Sequence, residues 1–167
     1  MMTSRSRLII DTNVLIDLHH GNVLDGLFRL PYLFVAPDVI IAELQEPDGS
    51  DLMRMGLKSG ELSGERVLEV EQLFQHHASI AVNDLFALVL AASTSLPLLT
   101  GDSRLRKLAG RHNVKVHGTL WVVDEMVAHA VLKPVEAARA LRTMLDRGSR
   151  LPLAECEERL RIWERKQ

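Results

Sequence analysis

The chain has 167 residues, 47% of them hydrophobic and 25% charged, with a net charge of −2. That length suits one α/β domain with its own core and makes two large domains improbable. No segment reaches the roughly 18 uninterrupted apolar residues that span a bilayer, the near-neutral balance exerts no global pull on nucleic acid, and the single cysteine, Cys156, excludes an intrachain disulfide or a cysteine-rich zinc site.

From the N-terminus, Met1 to Arg7 is short and polar, and the apolar run after it is broken by Asp11. A secretory leader does not fit, so a cytoplasmic protein is expected. Leu8 to Ile10 reads as a short strand ending at Asp11, and Val14, Leu15, Ile16 and Leu18 as a helix. A second helical stretch over Val23 to Leu30 stops at Pro31, and Tyr32 to Val35 has strand composition. Pro37 suits a first helical turn, and the helix from Asp38 to about Gln45 sets Val39 and Ile40 on the face of Glu43 before Pro47 ends it.

Asp48 to Gly64 carries four glycines and reads as an exposed connection. Arg66 to Val70 is expected as a strand, Gln72 to His77 as a short helix, and Asp84 to Ser93 as a helix apolar on nearly every side and therefore buried. Leu96 to Leu99 is a further strand, Asp102 opens a helix ending near Gly110, and Val114 to Val116 is a strand before a helix from Leu120. Strands alternating with helices imply a mainly parallel sheet. In the tail, Pro134 and Pro152 open two helices separated by Gly148. The stripe Leu153, Cys156, Leu160 and Trp163 must dock on its own domain or on a dimer or other partner surface.

Asp11 and Asp102 each follow a strand, and in open parallel sheets ligands gather at the carboxyl ends of strands. Taken singly, Asp11, Asp84 and Asp102 have a plain explanation as helix N-caps, and Glu43 as a surface glutamate. Taken together, Glu43 and Asp84 flank apolar helix faces, where a charge is costly unless paired or bound to a cation. An all-oxygen set suits Mg²⁺ or Mn²⁺, not zinc, and such ions activate water and offset phosphate charge in phosphodiester hydrolysis. Between Gly101 and His117, Arg104, Arg106, Lys107, Arg111 and Lys115 face a single acid, Asp102. That segment is either a phosphate-binding rim or a solvated helix face.

Asp11-Thr12-Asn13, Glu43 in Pro37-Asp38-Val39-Ile40-Ile41-Ala42-Glu43-Leu44, Asp84 in Asn83-Asp84-Leu85-Phe86-Ala87-Leu88, and Thr100-Gly101-Asp102 followed by Leu105 resemble, in order, the four acidic motifs of the PIN domain, a ribonuclease superfamily. Leu99 to Asp102, Val116 to Leu120 and the paired C-terminal helices are similar to a PIN subgroup described only as nucleic-acid-binding, so the resemblance covers nearly the whole chain. It implies a three-layer α/β/α sandwich over residues 1–132 with a C-terminal helical extension over 133–167. It further implies an endoribonuclease in which Asp11, Glu43, Asp84 and Asp102 hold one or two Mg²⁺ or Mn²⁺ ions and Asn13 or Thr100 supports them. Many members are VapC-type toxins held inactive by an antitoxin, so an antitoxin is an expected partner besides RNA, and the C-terminal apolar stripe leaves room for a homodimer. One departure stands out: where many toxins place a second acid two residues after the fourth, this chain has Arg104. Arg104, with Arg106 and Lys107, is expected to bind RNA phosphate.

Two other readings weigh less. Gly101-Asp102-Ser103 is like a serine-hydrolase segment with His112 or His117 as base, but a Gly-x-Ser-x-Gly turn is absent. A PIN fold without catalysis, binding RNA or protein through its basic segment and C-terminal helices, is the alternative in another functional class. His19-His20 and His76-His77 point to different sides of a helix and do not make a metal pair. Trp121 and Trp163 fit core packing better than base stacking.

Overall fold

In the computed structural model, which describes residues 4–165, β1 (Ser6–Ile10), β2 (Tyr32–Pro37), β3 (Lys58–Gly60), β4 (Leu98–Leu99) and β5 (Val116–His117) form one sheet in the order β3-β2-β1-β4-β5. Every pairing is parallel. Residues 1–3 of the polar N-terminal stretch and residues 166–167 of the tail lie outside the described residues.

In chain order the helices among those residues are α1 (Thr12–His20), α2 (Leu24–Leu27), α3 (Asp38–Glu43), α4 (Gly49–Met55), α5 (Gly64–His76), α6 (Val82–Thr94), α7 (Ser103–Arg111), α8 (Thr119–Ala128), α9 (Pro134–Asp146) and α10 (Leu153–Arg165). They cover both faces of the sheet, because parallel strands are apolar on both sides and alternate side chains point in opposite directions. In β1, Leu8 and Ile10 join a core with α1, α8, α9 and α10, whereas Ile9 joins a second core with α6 and α7. Leu99 and Leu98 of β4 divide in the same way. The result is an α/β/α sandwich whose strand order reverses between β1 and β4, the place where a crevice opens at the carboxyl ends of such a sheet.

The tail is continuous with the first of these cores. Ala137, Leu141 and Met144 of α9 and Cys156, Leu160 and Trp163 of α10 are buried with residues of α1 and α8. The Arg159 guanidinium donates to both carboxylate oxygens of Asp124, at 2.9 and 2.7 Å, and ties α10 to α8. Leu153, the first member of the apolar stripe, remains 67% exposed.

Several expected elements differ. Arg66 to Val70 belongs to α5 and is not a strand: Ser63 Oγ accepts the Arg66 N–H at 3.4 Å as an N-cap, and Val70 and Leu73, three apart, pack on the core beside α6. The two valines suggested β structure, but the Glu, Gln and Leu residues around them are better helix formers and tertiary packing decided the outcome. The expected connection over Asp48 to Gly64 contains α4, capped by Asp48, and β3. Leu52 and Leu57 anchor it in the core. The segment Lys58-Ser59-Gly60 was illegible because an edge strand needs only its backbone to pair, here with Val35 to Pro37.

The stretch Val23 to Leu30 forms only the single turn of α2, with the helix-weakening Gly26 inside it. Likewise α3 stops at Glu43, because Leu44 is extended and Gln45 pairs with Asp48 in an isolated bridge before Pro47.

Gly49 is the tightest point of this region: a Cβ built there would lie 2.0 Å from the Ile41 carbonyl oxygen. A Gly49→Ala substitution is therefore expected to lower the melting temperature by on the order of 5 °C through overpacking against backbone. An unchanged thermal melt would refute that packing.

Candidate functional site

The parallel pairing of Ile10 with Leu99 sets the ends of β1 and β4 side by side. Asp11 follows the first strand directly, and its N–H donates to the Leu99 carbonyl at 2.9 Å. Thr100 follows the second, with its N–H on the His117 carbonyl at 2.9 Å. Three neighbouring strands thus bring Asp11, Thr100 and His117 to the same edge.

Asp11 is fully buried and holds its carboxylate through three side chains. Thr100 Oγ1 donates to Oδ2 at 2.8 Å, Asn13 Nδ2 donates to the same oxygen at 3.3 Å, and Thr12 Oγ1 donates to Oδ1 at 3.2 Å. Thr100 is itself buried and accepts the Asp102 N–H at 3.2 Å, which links the two acids through one hydroxyl. Although Asp11 occupies the N-cap position of α1, its side chain makes no capping bond. The helix-cap explanation therefore does not account for this carboxylate.

Asp84 lies in the first turn of α6, whose N-cap is Ala81, and is only 7% exposed. Among the described residues no N–H or hydroxyl donor satisfies its carboxyl group. Burial, then the nearby charge of Asp11, with which it lies within hydrogen-bonding reach, and then Asp102 push its pKa from 3.8 up to about 8. Two buried carboxyls in contact cannot both ionise without a counter-charge.

Asp102 is half-buried and does serve as a cap: Oδ1 accepts the Arg104 and Leu105 N–H groups at 2.8 and 3.1 Å. Its other oxygen, Oδ2, takes no part in the cap. Glu43 is exposed at the end of α3, where Oε2 accepts from Asn83 Nδ2 at 2.8 Å. This contact joins the second acidic motif to the start of α6, one residue before Asp84.

Arg104, Arg106, Lys107 and Arg111 sit on α7, Lys115 lies between α7 and β5, and all five are exposed. Arg104 Nη1 donates to the Ser79 carbonyl at 3.2 Å, and Arg106 Nη2 donates to the Thr100 carbonyl at 3.4 Å, directly behind the acids. Lys107 makes no hydrogen bond or ion pair among the described residues. Of the serine-hydrolase arrangement no hydrogen bond forms among the described residues: Ser103 is the exposed first residue of α7, His112 lies at the far end of that helix, and the His117 ring, which lines the same pocket as Ser103, stacks on Trp121.

A cleft of about 680 Å³ opens at Asn13, Asp102 and Arg104 and continues to Asp17, Ser149 and Arg150. The last three were not singled out from the sequence. Asp17 is a largely buried acid on the apolar face of α1, raised in pKa chiefly by burial, and it accepts from Thr119 Oγ1 at 2.7 Å. Its place three residues after Val14 was a signal that could have been read. Ser149 and Arg150 had none, because only the fold brings the loop between α9 and α10 to this cleft.

Residues 7–165 match the model of the family DUF3368, described as a PIN domain. The chain belongs to the PIN-domain family. The match includes both C-terminal helices, and PIN domains are a nuclease-type fold. No curated protein matches the chain.

Among the described residues of this PIN domain, no group of three or more His, Cys, Asp or Glu side chains closes tightly enough to enclose an ion. The acids gathered here offer only oxygen donors, the kind that hard divalent cations take. Such an ion keeps several waters and needs only one or two direct carboxylates. Asp11 and Asp84 form a buried acidic pair that makes no ion pair among the described residues, and Asp102 is close enough to add its charge.

Proposed function

We propose that this PIN domain is a divalent-metal-dependent endoribonuclease, acting with Mg²⁺ or Mn²⁺ at Asp11, Asp84 and Asp102. The observation that carries the reading is the buried Asp11–Asp84 pair, short of a counter-charge at the point where the strand order reverses. A bound cation there supplies polarisation of a phosphate and activation of water.

The remaining roles follow from the side chains in place. Thr100, Asn13 and Thr12 fix the Asp11 carboxylate in one orientation, so that a cation meets it preorganised. Glu43, exposed and held by Asn83, orients water at the rim or a second ion. Arg104 and Arg106, at the start of α7, bind the phosphate backbone, which positions the strand without reading its sequence. Lys107 adds charge on the same helix. On the same reading, a protein inhibitor such as an antitoxin would act by covering the cleft at Asn13, Asp102 and Arg104.

The test is cleavage of a pooled set of structured and unstructured RNAs by the purified protein, with Mn²⁺ or with EDTA. Cleavage in Mn²⁺ that EDTA abolishes supports the enzyme; no cleavage together with no Mn²⁺ binding by calorimetry rejects it in favour of a non-catalytic binding module. Within this scheme Thr100→Val, which removes the hydroxyl that donates to Asp11 and accepts the Asp102 N–H, is expected to cost roughly tenfold in cleavage rate or metal affinity. A variant with unaltered rate and Mn²⁺ affinity would deny Thr100 its supporting role.

A further inference from the structure

Next to the acidic cleft lies a second pocket, of about 400 Å³, that shares Gly101, Ser103 and Arg150 with it. One wall is aromatic. Tyr32, Trp121 and His117 form a short stack, with ring centroids 6.0 Å apart and tilted by 31° for the first pair, and 4.2 Å apart and nearly parallel, at 15°, for the second. Trp121 and His117 both line the pocket and are half-buried. Among the described residues no further ring meets His117, so the stack ends there.

The charges around this wall are of two kinds. Arg159 is already committed to Asp124. Arg150, exposed on the loop before α10, makes no ion pair or hydrogen bond among the described residues, and Arg106 holds only the long contact to the Thr100 carbonyl. Two cations are thus available between the stack and the acids. Glu155, the acid in the lining, offers an acceptor.

We infer that this pocket binds one nucleotide of a single-stranded RNA, with its base continuing the stack on His117 and its phosphate on Arg150 and Arg106, beside the acidic cleft. The inference rests on the ribonuclease reading for its substrate class. A flat aromatic end, free guanidinium groups and an acceptor for base N–H groups are the features by which unpaired bases are held, because unstacked bases expose both their faces and their edges. Burial, then the charge of Lys115, lowers the His117 pKa, which favours the neutral ring. Its part in the site is therefore stacking, with Arg150 and Arg106 carrying the charge. The pocket volume lies within the range of small-ligand sites. Its occupant would set which nucleotide flanks the cleaved bond, a selection that the phosphate contacts of α7 alone cannot make.

The experiment is fluorescence anisotropy with a labelled ten-nucleotide single-stranded RNA in EDTA, for the full chain and for His117→Ala, His117→Phe and Arg150→Ala. Thermal melts of each sample establish that the fold is retained. His117→Ala and Arg150→Ala should each weaken binding by roughly tenfold, and His117→Phe, which keeps a flat ring, should restore most of the affinity. Arg150→Ala should also reduce the salt dependence by about 0.7 in log–log slope, the amount for one phosphate contact on a single strand. Unchanged binding in both alanine variants overturns the inference, as does equal loss in the alanine and phenylalanine variants at His117. Absence of RNA binding by the unmodified chain overturns it too and leaves the pocket to a protein side chain. Cleavage of the same RNA in Mn²⁺ separates the two levels. Cleavage with unchanged variant binding removes the pocket and spares the nuclease, whereas pocket-dependent binding without cleavage does the reverse.

Discussion

Asp11→Asn is expected to lower metal-dependent RNA cleavage by more than about 100-fold while leaving the melting temperature of the metal-free protein unchanged or raised. Even the outer partners of a metal-binding group cost 10- to 100-fold when removed, and Asp11 is the central carboxylate of the proposed site. The fold should tolerate the change because asparagine keeps the shape of the side chain. Its carbonyl oxygen can take the place of Oδ2 and accept from Thr100 and Asn13, and its amide can donate to Thr12 Oγ1 once that hydroxyl turns. The substitution also removes a negative charge from beside Asp84. The decisive comparison is single-turnover cleavage in Mn²⁺ by wild type and variant, with melting curves in EDTA. Equal cleavage by the two proteins would place the chemistry elsewhere, and a collapsed melt would show that Asp11 serves the fold first.

The second large effect concerns pH. In the folded, metal-free protein Asp84 titrates near 8, mainly through burial and then through Asp11, against 3.8 for a free aspartate. Below about pH 4 the group is protonated in both folded and unfolded chains and its contribution is fully present. As the pH rises toward 8 the unfolded chain has given up its proton and the folded one has not, so stability falls and the loss is complete above about 8. The total is of order a few kcal/mol, which for a domain of this size is roughly 5–10 °C in melting temperature. Asp84→Asn removes the dependence. The variant should melt close to the wild type at pH 5 and well above it at pH 8 in EDTA, because only the wild type must bury a charge. Mn²⁺ should stabilise the wild type at pH 8 and the variant much less. A gap that does not widen with pH would mean that Asp84 is hydrated and has no need of a cation.

Both results turn on the difference between a helix cap and a site. Asp11, Asp84 and Asp102 all stand at or near helix starts, and one local explanation covered them equally. The three separate only in the structure: Asp102 caps α7 with one oxygen, Asp11 occupies a cap position without capping, and Asp84 sits inside the first turn. The buried pair is therefore the part that capping leaves unexplained.

By itself the sequence determined the class of fold and the order of the acids. Apolar runs too short for helices, alternating with helical stretches, implied a mainly parallel sheet, and the resemblance to the PIN domain added helices on both of its faces. Leu8 to Ile10 and Leu96 to Leu99 marked the two strands that carry Asp11 and Asp102, because strands buried on both faces must be apolar at every position. Signals that depend on a few consecutive residues were readable: Pro134 and Pro152 at helix starts, and the Cys156, Leu160 and Trp163 spacing. Where the local signal was weak or mixed it misled, as with the valines of α5, or was silent, as with Lys58-Ser59-Gly60 in β3.

Only the tertiary structure decided which acids meet and what surrounds them. The reversal of strand order between β1 and β4 pairs Ile10 with Leu99, and α6 delivers Asp84 to Asp11 from 73 positions along the chain. It also brought Asp17, Ser149 and Arg150 to the cleft and stacked His117 on Trp121 beside it. Such contacts leave no mark in local sequence, because they come from burying apolar surface on both faces of one sheet. That burial carries the attached polar groups to wherever the layers close.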